Sequence, residues 1–402
     1  MSEEPKVESP RRRTGGATVG AWQGYSLAER DRRWNAVRES AAKRGLDCIW
    51  VPLGNGTDAR YLTQLRASSI VLPTDGRPPI VITDRGAQNH WVPEPRHTSR
   101  AWAEPMAQAL LDAGMECARI GVVGLKGGKV THVRAFDGVV NHSSYAHVVR
   151  HLSKATFEDA MDVVGFVRTI KSDEEIACLR RATVIAEAGI DEMAKVARPG
   201  VDAALLYAAV MERMLEMGSE YYPLAFYADP IGASEGRRYT NPPIGKRLES
   251  NTLIANEVSA VWGAQVAQED QPILLGRIPD QWKPVIELQR DIFYAGLEFM
   301  KPGTLFGHLI DFVNGFGAKR GMKTLILMHG LGLGDDGPLL SPRSRGEQVR
   351  ELRIEKGSAW VWKPYAMSAD ERIKFVWGGD VVVGDKGGEA LFKRPHGMIS
   401  IT

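Results

Sequence analysis

The strongest constraint on the fold is a helix break that occurs twice in the second half of the chain. Arg-Pro-Gly at residues 198–200 and Lys-Pro-Gly at residues 301–303 each lie between two amphipathic helical patterns. Proline cannot continue a helix, and glycine readily adopts the left-handed conformation that ends one, so each triplet predicts two consecutive helices. The recurrence of this helix pair hints at an internal duplication.

The first of these helix pairs has a defined start. Ser172 and Glu175 have the spacing of a capping box, in which each side chain accepts a hydrogen bond from the backbone N–H of the other residue. We therefore predict a long helix from residue 172 to the first break and a second helix over residues 203–217. The other pair is predicted over residues 291–300 and 305–320, with strand-like segments at 252–261, 359–362 and 380–383.

The first half of the chain alternates helical and strand-like patterns. An amphipathic stretch over residues 27–44 ends at Gly45 and predicts a helix. Short apolar runs follow, as expected for buried strands between helices, at residues 48–52, 69–73, 79–83 and 120–123. We therefore predict an α/β domain with a central sheet. A nucleotide-binding function has little support, because no Gly-x-Gly-x-x-Gly motif follows the first run.

Length and charge narrow the class of protein. A chain of 402 residues is long enough for two domains, predicted at residues 21–167 and 168–402 behind a disordered arm at 1–20. The 51 basic and 49 acidic side chains give a net charge of +2, which argues against a nucleic-acid partner. No apolar run is long enough for a membrane span or a secretory signal, and three scattered cysteines fit a reducing compartment. We expect a cytoplasmic protein.

Five segments, in the same order, resemble the superfamily of creatinase, prolidase, aminopeptidase P and methionine aminopeptidase. They are the two helix breaks, the segment at 168–175, His-Gly-Leu-Gly-Leu at 329–333, and Asp-Cys-Ile-Trp-Val at 47–51 with Arg-Tyr-Leu-Thr at 60–63. The resemblance implies a pita-bread fold, an α+β carboxy-terminal domain with a curved antiparallel sheet covered by helices, behind the smaller α/β amino-terminal domain. It also implies a homodimer in which one subunit helps to close the pocket of the other.

Peptidases of this superfamily hold two metal ions with two Asp, one His and two Glu side chains, so the resemblance can be tested residue by residue. The first Asp position falls on Asn256, or on Glu257 if the alignment shifts by one residue. The second falls on Ala267 or, in the shifted alignment, on Gln268. Neither alignment supplies both aspartates.

The remaining ligand positions are more decisive. The His is present as His329, but the first Glu position falls on Lys363 and the last on Gly378 or Gly379. A lysine ammonium a few ångströms from a divalent ion costs several kcal/mol even at an effective dielectric constant of about 20. We therefore predict that the chain binds neither a metal nor another cofactor at this site. A rebuilt metal site remains the alternative, with the ligands Glu257, Glu269, His329 and Asp380.

Creatinase belongs to this superfamily and works without metal, so the resemblance implies that such a pocket can keep its chemistry. Glu269 falls where creatinase has a substrate-binding glutamate, but creatinase's catalytic histidine position is Thr240 here, so creatine hydrolysis is not implied. The catalytic candidates are His329 as general acid or base, Lys363 as the cation for a substrate carboxylate or an oxyanion, Glu269 and Tyr239. An inactive site, in which Lys363 pairs with Glu269, is the alternative.

Substrate-binding candidates surround these four residues. Tryptophans at alternate strand positions are expected to line the pocket, although the same pattern also fits a core. The glycines beside the histidine are expected to let the backbone approach a ligand. The substrate-binding set is Asn256, Glu257, Arg238, Asp336, Trp362 and Trp377.

Three functions are consistent with these residues. The first is a metal-independent hydrolase or lyase that cleaves a C–N or similar bond in a small polar, carboxylate-bearing molecule. The second is a metal-dependent Xaa-Pro peptidase or prolidase with a rebuilt site, and the third is a non-catalytic binding protein. A pocket with ordered His329, Glu269 and Lys363 favours the first function, bound metal favours the second, and a pocket filled by tryptophan favours the third.

Overall fold

The computed structural model of the chain describes residues 22–53, 56–127, 137–233, 244–334, 336–341 and 349–402. The predicted arm at residues 1–20 and the site candidates Arg238 and Tyr239 lie outside the described residues. Within the described part of the chain, no helix is both long and apolar enough to span a membrane.

A six-stranded mixed sheet forms the first part of the chain. Its strands are β1 (Cys48–Val51), β2 (Ser68–Pro73), β3 (Ile80–Asp84), β4 (Arg96–Thr98), β5 (Arg119–Val122) and β6 (Thr156–Asp159). The helices around it are α1 (Leu27–Lys43), α2 (Gly56–Thr63), α3 (Ala103–Asp112), α4 (His142–His151) and α5 (Met161–Thr169). The strand order is β4-β3-β2-β1-β5-β6, with β1–β5, β5–β6 and β3–β4 parallel and the other neighbours antiparallel.

The core lies on both faces of this sheet. Ile49 and Val51 belong to a cluster with α1 and α5, whereas Cys48 and Trp50 belong to a cluster with α3 and α4. Because alternate residues of a strand point to opposite faces, a strand that is buried on both sides is apolar at most positions. The buried exceptions Ser68, Ser69 and Thr83 donate hydrogen bonds to backbone carbonyls. Burial on both faces explains the continuous apolar runs, and the four strands predicted from them are confirmed as β1, β2, β3 and β5.

The second part contains the two predicted helix pairs. α6 (Asp173–Val196) begins at the predicted capping box, where the Ser172 hydroxyl accepts from the Glu175 N–H at 3.2 Å and the Glu175 carboxylate accepts from the Ser172 N–H at 3.0 Å. α7 (Ala203–Glu216) follows the first break. α8 (Lys283–Phe299) begins earlier than predicted, because its first turn accommodates Pro284. α9 (Phe306–Phe316) ends earlier than predicted and is followed by a 3₁₀ turn at Ala318–Arg320.

Each helix pair packs on an antiparallel sheet. The strands are β7 (Ala225–Pro230), β8 (Thr252–Trp262), β9 (Gln265–Glu269), β10 (Ile273–Leu274), β11 (Lys323–Leu325), β12 (Met328–Gly330), β13 (Leu339–Leu340), β14 (Ala359–Trp362), β15 (Tyr365–Met367), β16 (Lys374–Val376), β17 (Gly379–Val383), β18 (Gly388–Ala390) and β19 (Ile399–Ser400). α6 and α7 pack on β19-β10-β8-β7, in which β9 also pairs with β8 and only β10–β19 is parallel. α8 and α9 pack on β13-β12-β14-β17-β18, and β11-β15-β16 is a separate three-stranded sheet.

The division into domains at residue 168 remains a prediction. The boundary falls inside α5, whose Met161 and Val164 pack into the core of the first sheet. Arg168, near the end of α5, forms ion pairs with Asp58 of α2 and with Asp336 of the second part. Buried ion pairs therefore connect the two parts of the chain.

Candidate functional site

One face of the sheet β13-β12-β14-β17-β18 carries several of the predicted site residues. The register pairs His329 of β12 with Val361 of β14, and Val361 with Asp380 of β17. Lys363 directly follows β14, and its N–H donates to the carbonyl of Leu327 at 3.1 Å, which extends the pairing. Since residues that lie opposite each other or two apart share a face, His329, Lys363 and Asp380 point to the same side.

The Lys363 ammonium lies between two carboxylates. Its Nζ is 2.8 Å from Oε1 of Glu257 on β8 and 2.8 Å from Oδ2 of Asp270, the residue after β9. The exposed fractions of the side chains are 2% for Lys363, 20% for Glu257 and 8% for Asp270. Burial alone would lower the pKa of Lys363, but the two carboxylates outweigh burial and raise it. Lys363 is therefore a charged ammonium paired inside the protein.

The partner of Lys363 differs from the one expected for an inactive site. Glu269 pairs with Val258 across the β8–β9 hairpin, and Val258 packs with α6. Glu257 and Asp270 are the chain neighbours of these two residues, so their side chains point to the other face, toward Lys363. Asp270 was not among the predicted site residues, because alternation places it opposite Glu269 without showing which of the two faces Lys363.

Asn256 also points away from Lys363. Its side-chain amide donates to the carbonyl of Gln271 at 2.7 Å, and the Gln271 N–H donates to its Oδ1 at 3.1 Å. This buried amide stabilises the sheet and does not face a pocket, contrary to its predicted role in substrate binding. Of the two alignments, the structure favours the one that places Glu257 at the first Asp position and Gln268 at the second.

The last ligand position has no room for a glutamate. A Cβ atom at Gly378 would lie 2.0 Å from the carbonyl oxygen of Trp362, and one at Gly379 would lie 2.7 Å from Oε2 of Glu269. Either side chain would force the backbone or a buried group to move. With Lys363 at the other Glu position, the residues do not fit the two metal ions that the resemblance implied.

The rebuilt metal site does not come together either. Glu269 faces α6, and Asp380 accepts a hydrogen bond from the Gln268 N–H at 2.7 Å. Burial raises the pKa of Asp380 well above its usual range, although the Gln268 N–H lowers it, and this disfavours the ionised form that binds metal. Across the described part of the chain, no metal-sized cluster combines the ligands of this alternative, Glu257, Glu269, His329 and Asp380.

Glu269 is a carboxyl group of the protein interior. Its side chain lies against Gly379, and its Oε1 atom has no hydrogen-bond partner among the described residues. Burial raises the pKa of Glu269 well above its usual range, and the nearby carboxylates of Asp380 and Glu187 raise it further. The neutral acid is therefore favoured, and Glu269 is not placed beside Lys363 as a catalytic partner.

The substitution Glu269→Gln is expected to stabilise the fold by a margin that grows with pH. Because the folded-state pKa is raised, the stability that protonated Glu269 provides is complete below about pH 4.3 and declines as pH rises toward the folded pKa. Glutamine does not titrate. The substitution therefore removes a decline in the free energy of unfolding of at most about 1.4 kcal/mol per pH unit. Urea unfolding of both proteins at pH 5 and pH 8 measures this decline.

The matched control for that measurement is Glu287→Gln. Glu287 is exposed on α8, so its substitution is expected to leave the pH dependence unchanged. If Glu269→Gln and the wild type differ by the same free energy at pH 5 and pH 8, the neutral interior carboxyl is refuted.

Asp336 lies in a buried ion-pair cluster, in contrast to the substrate-binding role that was predicted for it. It pairs with Arg168, lies 2.5 Å from Nζ of Lys171, and accepts from the Leu333 N–H at 3.1 Å. A Cβ atom at Gly330 would lie 1.7 Å from the backbone oxygen of Asp336. Gly330 therefore makes room for the backbone of Asp336, whereas the sequence had suggested that the glycines beside His329 make room for a ligand.

Trp362 and Trp377 lie in the core behind the sheet. Trp362 is fully buried, and its Nε1 donates to the carbonyl of Phe293 on α8 at 3.0 Å. Nε1 of Trp377 donates to Oε1 of Gln271 at 3.1 Å, and its ring packs edge-on against Phe293. These indoles belong to the core beneath α8, in contrast to the pocket wall that was predicted.

A cavity of about 820 Å³ has Ala255 of β8 and Tyr365 in its lining. Ala255, which lines the cavity, lies two residues before Glu257 on β8, so both point to the same side of the strand. Tyr365, two residues after Lys363, also lines the cavity. The other polar lining residues were not predicted from the sequence; they are Tyr227, Asp229, Ser341, Glu371, Arg372 and Lys374.

The structure thus groups a subset of the predicted residues. Lys363 contacts both Glu257 and the unpredicted Asp270. His329 is on the sheet face of Lys363, 9% exposed, with its Nδ1 3.3 Å from the carbonyl oxygen of Gly330. This arrangement offers one partly exposed carboxylate, one buried cation and one imidazole.

Comparison with known proteins agrees with this architecture. The sequence model of metallopeptidase family M24 matches residues 177–385, more than half of the chain. The uncharacterized peptidase YqhT of Bacillus subtilis is 23% identical over 376 residues, which cover 90% of this chain and 98% of that relative. The uncharacterized hydrolase/peptidase y4tM of Sinorhizobium fredii is 27% identical over 161 residues, and this match spans only 40% of this chain and 41% of that relative.

The fold also has solved counterparts. The crystal structure of the X-Pro aminopeptidase from Thermotoga maritima superposes with a TM-score of 0.73 at 16% sequence identity, covering 92% of this chain and 99% of that one. At this identity the likeness concerns the fold alone. The family match spans the residues that form the site, including Glu257, His329 and Lys363. The chain therefore belongs to metallopeptidase family M24.

Proposed function

We propose that this member of family M24 is a metal-independent hydrolase that cleaves a C–N or similar bond in a small polar molecule. The observation that carries the proposal is the Lys363 ammonium held between Glu257 and Asp270. Residues two positions from Glu257 and from Lys363, Ala255 and Tyr365, line the cavity. Where the resemblance implies a metal ligand, the ammonium supplies a fixed positive charge. Hydrolysis is the reaction class that the family supports, since the relatives named above are described as peptidases or hydrolases.

Glu257 is the residue of this group that acts on the substrate in our proposal. Its side chain is 20% exposed, whereas that of Lys363 is 2% exposed. The Glu257 carboxylate accepts a proton from the attacking water, whose oxygen adds to the carbon, and His329 gives a proton to the leaving nitrogen. Lys363 and Asp270 orient Glu257, so the direct contact of Lys363 with substrate predicted from the sequence is replaced by a positioning role.

The cavity supports a substrate that carries both charges. Asp229 and Glu371 line it together with Arg372 and Lys374, and Nζ of Lys374 lies 4.0 Å from the centre of the Tyr365 ring. A short peptide or an amino-acid amide has an ammonium or amide group and a carboxylate or carbonyl for such a wall. The cavity volume of about 820 Å³ is within the range of small-molecule sites.

A substrate screen tests this proposal. Short peptides including Xaa-Pro dipeptides, amino-acid amides and guanidino acids are incubated with the protein, with EDTA or with Mn²⁺. We expect turnover that EDTA leaves unchanged and that falls at least about 100-fold in Glu257→Gln and His329→Gln, in line with the usual contribution of a general acid or base. Glu389→Gln, on β18, is the control and keeps the wild-type rate.

Two outcomes of this screen would overturn the proposal. Turnover that requires Mn²⁺ or Co²⁺ would identify a metal-dependent Xaa-Pro peptidase. Saturable binding of a substrate without turnover would identify a non-catalytic binding protein, for which the internal pairing of Lys363 is the favouring observation.

The purified protein is expected to hold no pair of divalent ions in this pocket. Lys363 already pairs with both Glu257 and Asp270, and Gly378 has no space for the missing carboxylate. Elemental analysis after dialysis against metal-free buffer checks this. About two Mn, Co or Zn ions per chain, the number in two-metal hydrolase sites, would contradict it.

Assembly and location remain predictions. The resemblance supports a homodimer in which one subunit helps to close the pocket of the other. The balanced charge and the sparse cysteines support a cytoplasmic protein with a small-molecule partner and no nucleic-acid or membrane partner.

A further inference from the structure

Two histidines and a glutamate meet on the surface of the first part of the chain, outside the site described above. His147 and His151 are one turn apart on α4, and their rings stack with centroids 4.1 Å apart and planes at 28°. Glu104, in the first turn of α3, places its Oε2 2.8 Å from Nε2 of His147. One ligand atom from each of the three residues lies within 4.8 Å of the other two.

The backbone beneath these side chains is fixed by packing. Met106 and Leu110 of α3 share a buried apolar cluster with Val148 of α4 and with Leu152, which ends it. The two helices are therefore held side by side without help from the surface residues. A ligand set on two docked helices is pre-organised, which reduces the entropy lost when an ion binds.

The hydrogen bond of His151 selects a tautomer of its neutral ring. Its Nδ1 lies 2.9 Å from the backbone carbonyl of His147, and a carbonyl can only accept, so in the neutral ring Nδ1 carries the proton and Nε2 carries the lone pair. A histidine that binds a metal commonly donates its other ring N–H to a backbone carbonyl in this way. The side chain of Glu104 is 65% exposed, and that of His147 is 25% exposed, so both can adjust toward an ion that arrives from solvent.

We propose that Glu104, His147 and His151 form a binding site for Zn²⁺ or a similar transition-metal ion. Two histidines four residues apart on a helix, joined by a carboxylate, are a ligand set that Zn²⁺ prefers, and water completes the tetrahedron. Bonds of about 2.0–2.1 Å place tetrahedral ligand atoms about 3.3–3.5 Å apart, so the side chains close by small rotations. The bound ion replaces the hydrogen bond between Glu104 and His147 and cross-links α3 to α4.

Zinc titration of the full chain tests the site. Isothermal titration calorimetry with ZnCl₂ at pH 7.5 is expected to show one ion per chain, and thermal unfolding is expected to shift upward at saturating Zn²⁺ because the ion binds the folded protein. His147→Gln/His151→Gln is expected to weaken binding at least tenfold and to abolish the shift, and Glu104→Gln to weaken binding less. His142→Ala, an exposed histidine of the same helix, is the matched control and keeps wild-type binding.

Two results would overturn this site. One is wild-type zinc affinity in a double variant whose circular dichroism shows a folded chain, and the other is the absence of binding at 100-fold molar excess of ZnCl₂. If the double variant does not fold, His151→Gln alone, which leaves the bond between Glu104 and His147 intact, gives the same comparison.

The surface site and the pocket can be tested separately. Metal analysis of the pocket is repeated on His147→Gln/His151→Gln, which is expected to carry no ion at either place. A pair of ions that persists in the double variant would refute the metal-independent pocket and leave the surface site intact. An ion that disappears with the two histidines would support the surface site and leave the proposed hydrolase unaffected.

Discussion

Lys363→Met is expected to lower the free energy of unfolding by about 3–5 kcal/mol, because it leaves two carboxylates of a buried ion pair without their cation. The ammonium lies 2.8 Å from both Glu257 and Asp270. Methionine keeps the unbranched stem and its packing but cannot donate a hydrogen bond. Guanidinium chloride unfolding at pH 7 measures the loss.

The pH dependence of this loss separates charge from packing. The folded-state pKa of Lys363 is raised, so the stability that the wild-type ammonium provides is complete below the unfolded lysine pKa of about 10.4 and is lost only above it. In the variant, unpaired Glu257 and Asp270 take up protons more easily. The loss caused by Lys363→Met should therefore shrink between pH 7 and pH 4.

Two further variants control the Lys363 experiment. Lys374→Met removes a half-buried ammonium from the cavity wall, where it lies over the Tyr365 ring, and is expected to cost less than about 1 kcal/mol. The triple variant Lys363→Met/Glu257→Gln/Asp270→Asn is expected to recover much of the loss, because neutral amides replace the unpaired charges. If Lys363→Met and Lys374→Met unfold alike, the internal ion pair does not hold this part of the fold together.

Local chemistry made much of the fold predictable. The start of α6 follows from two side chains three residues apart, and both predicted hydrogen bonds are present. The buried strands of the first sheet follow from apolar runs, since burial on both faces favours apolar residues at most positions. These features depend on residues that are close in the sequence, so one sequence is enough to find them.

Which side chains point into the site depends on the face of each strand that they occupy, and the sequence did not determine that face. Trp262 and Gln265 pair across a two-residue turn in which Gly263 and Ala264 both have positive φ, at 57° and 64°. This turn fixes the hairpin register, and a slip of one residue would exchange the face of Asn256 for that of Glu257. The sequence could name both candidates but not choose between them.

The partner of Lys363 was unpredictable for a related reason. Its hydrogen bond to Glu257 joins residues 106 positions apart, one directly after β14 and the other on β8, and these strands belong to two different sheets. The tryptophans were misplaced because alternate burial fits either face of a strand, and only the packing of α8 shows which face is the core. Long-range packing, which has no local signature, decided these side chains.

Arg168→Met is expected to lower the free energy of unfolding by about 3–5 kcal/mol, because it removes the guanidinium shared by two buried carboxylates. Arg168 pairs with Asp58 through Nη1 and with Asp336 through Nη2, and the side chains of both aspartates are at most 1% exposed. Lys171 remains on Asp336 but does not replace the bridge to α2. Chemical denaturation at pH 7 measures the effect.

A surface pair provides the control for Arg168. Arg66→Met breaks the ion pair with Glu220, but the Arg66 side chain is 74% exposed, so the expected loss is below about 1 kcal/mol. Arg168→Lys keeps the positive charge but cannot bind two carboxylates through separate guanidinium nitrogens. Its loss in free energy of unfolding is expected to lie between those of Arg168→Met and Arg66→Met. Hydrogen exchange adds a local readout, because the Leu333 N–H donates to Asp336 and should exchange faster when that carboxylate loses Arg168. The expected result fails if Arg168→Met and Arg66→Met lower the free energy of unfolding equally and the Leu333 N–H still exchanges slowly. The buried cluster would then not hold Leu333 and Asp336 to the first part of the chain.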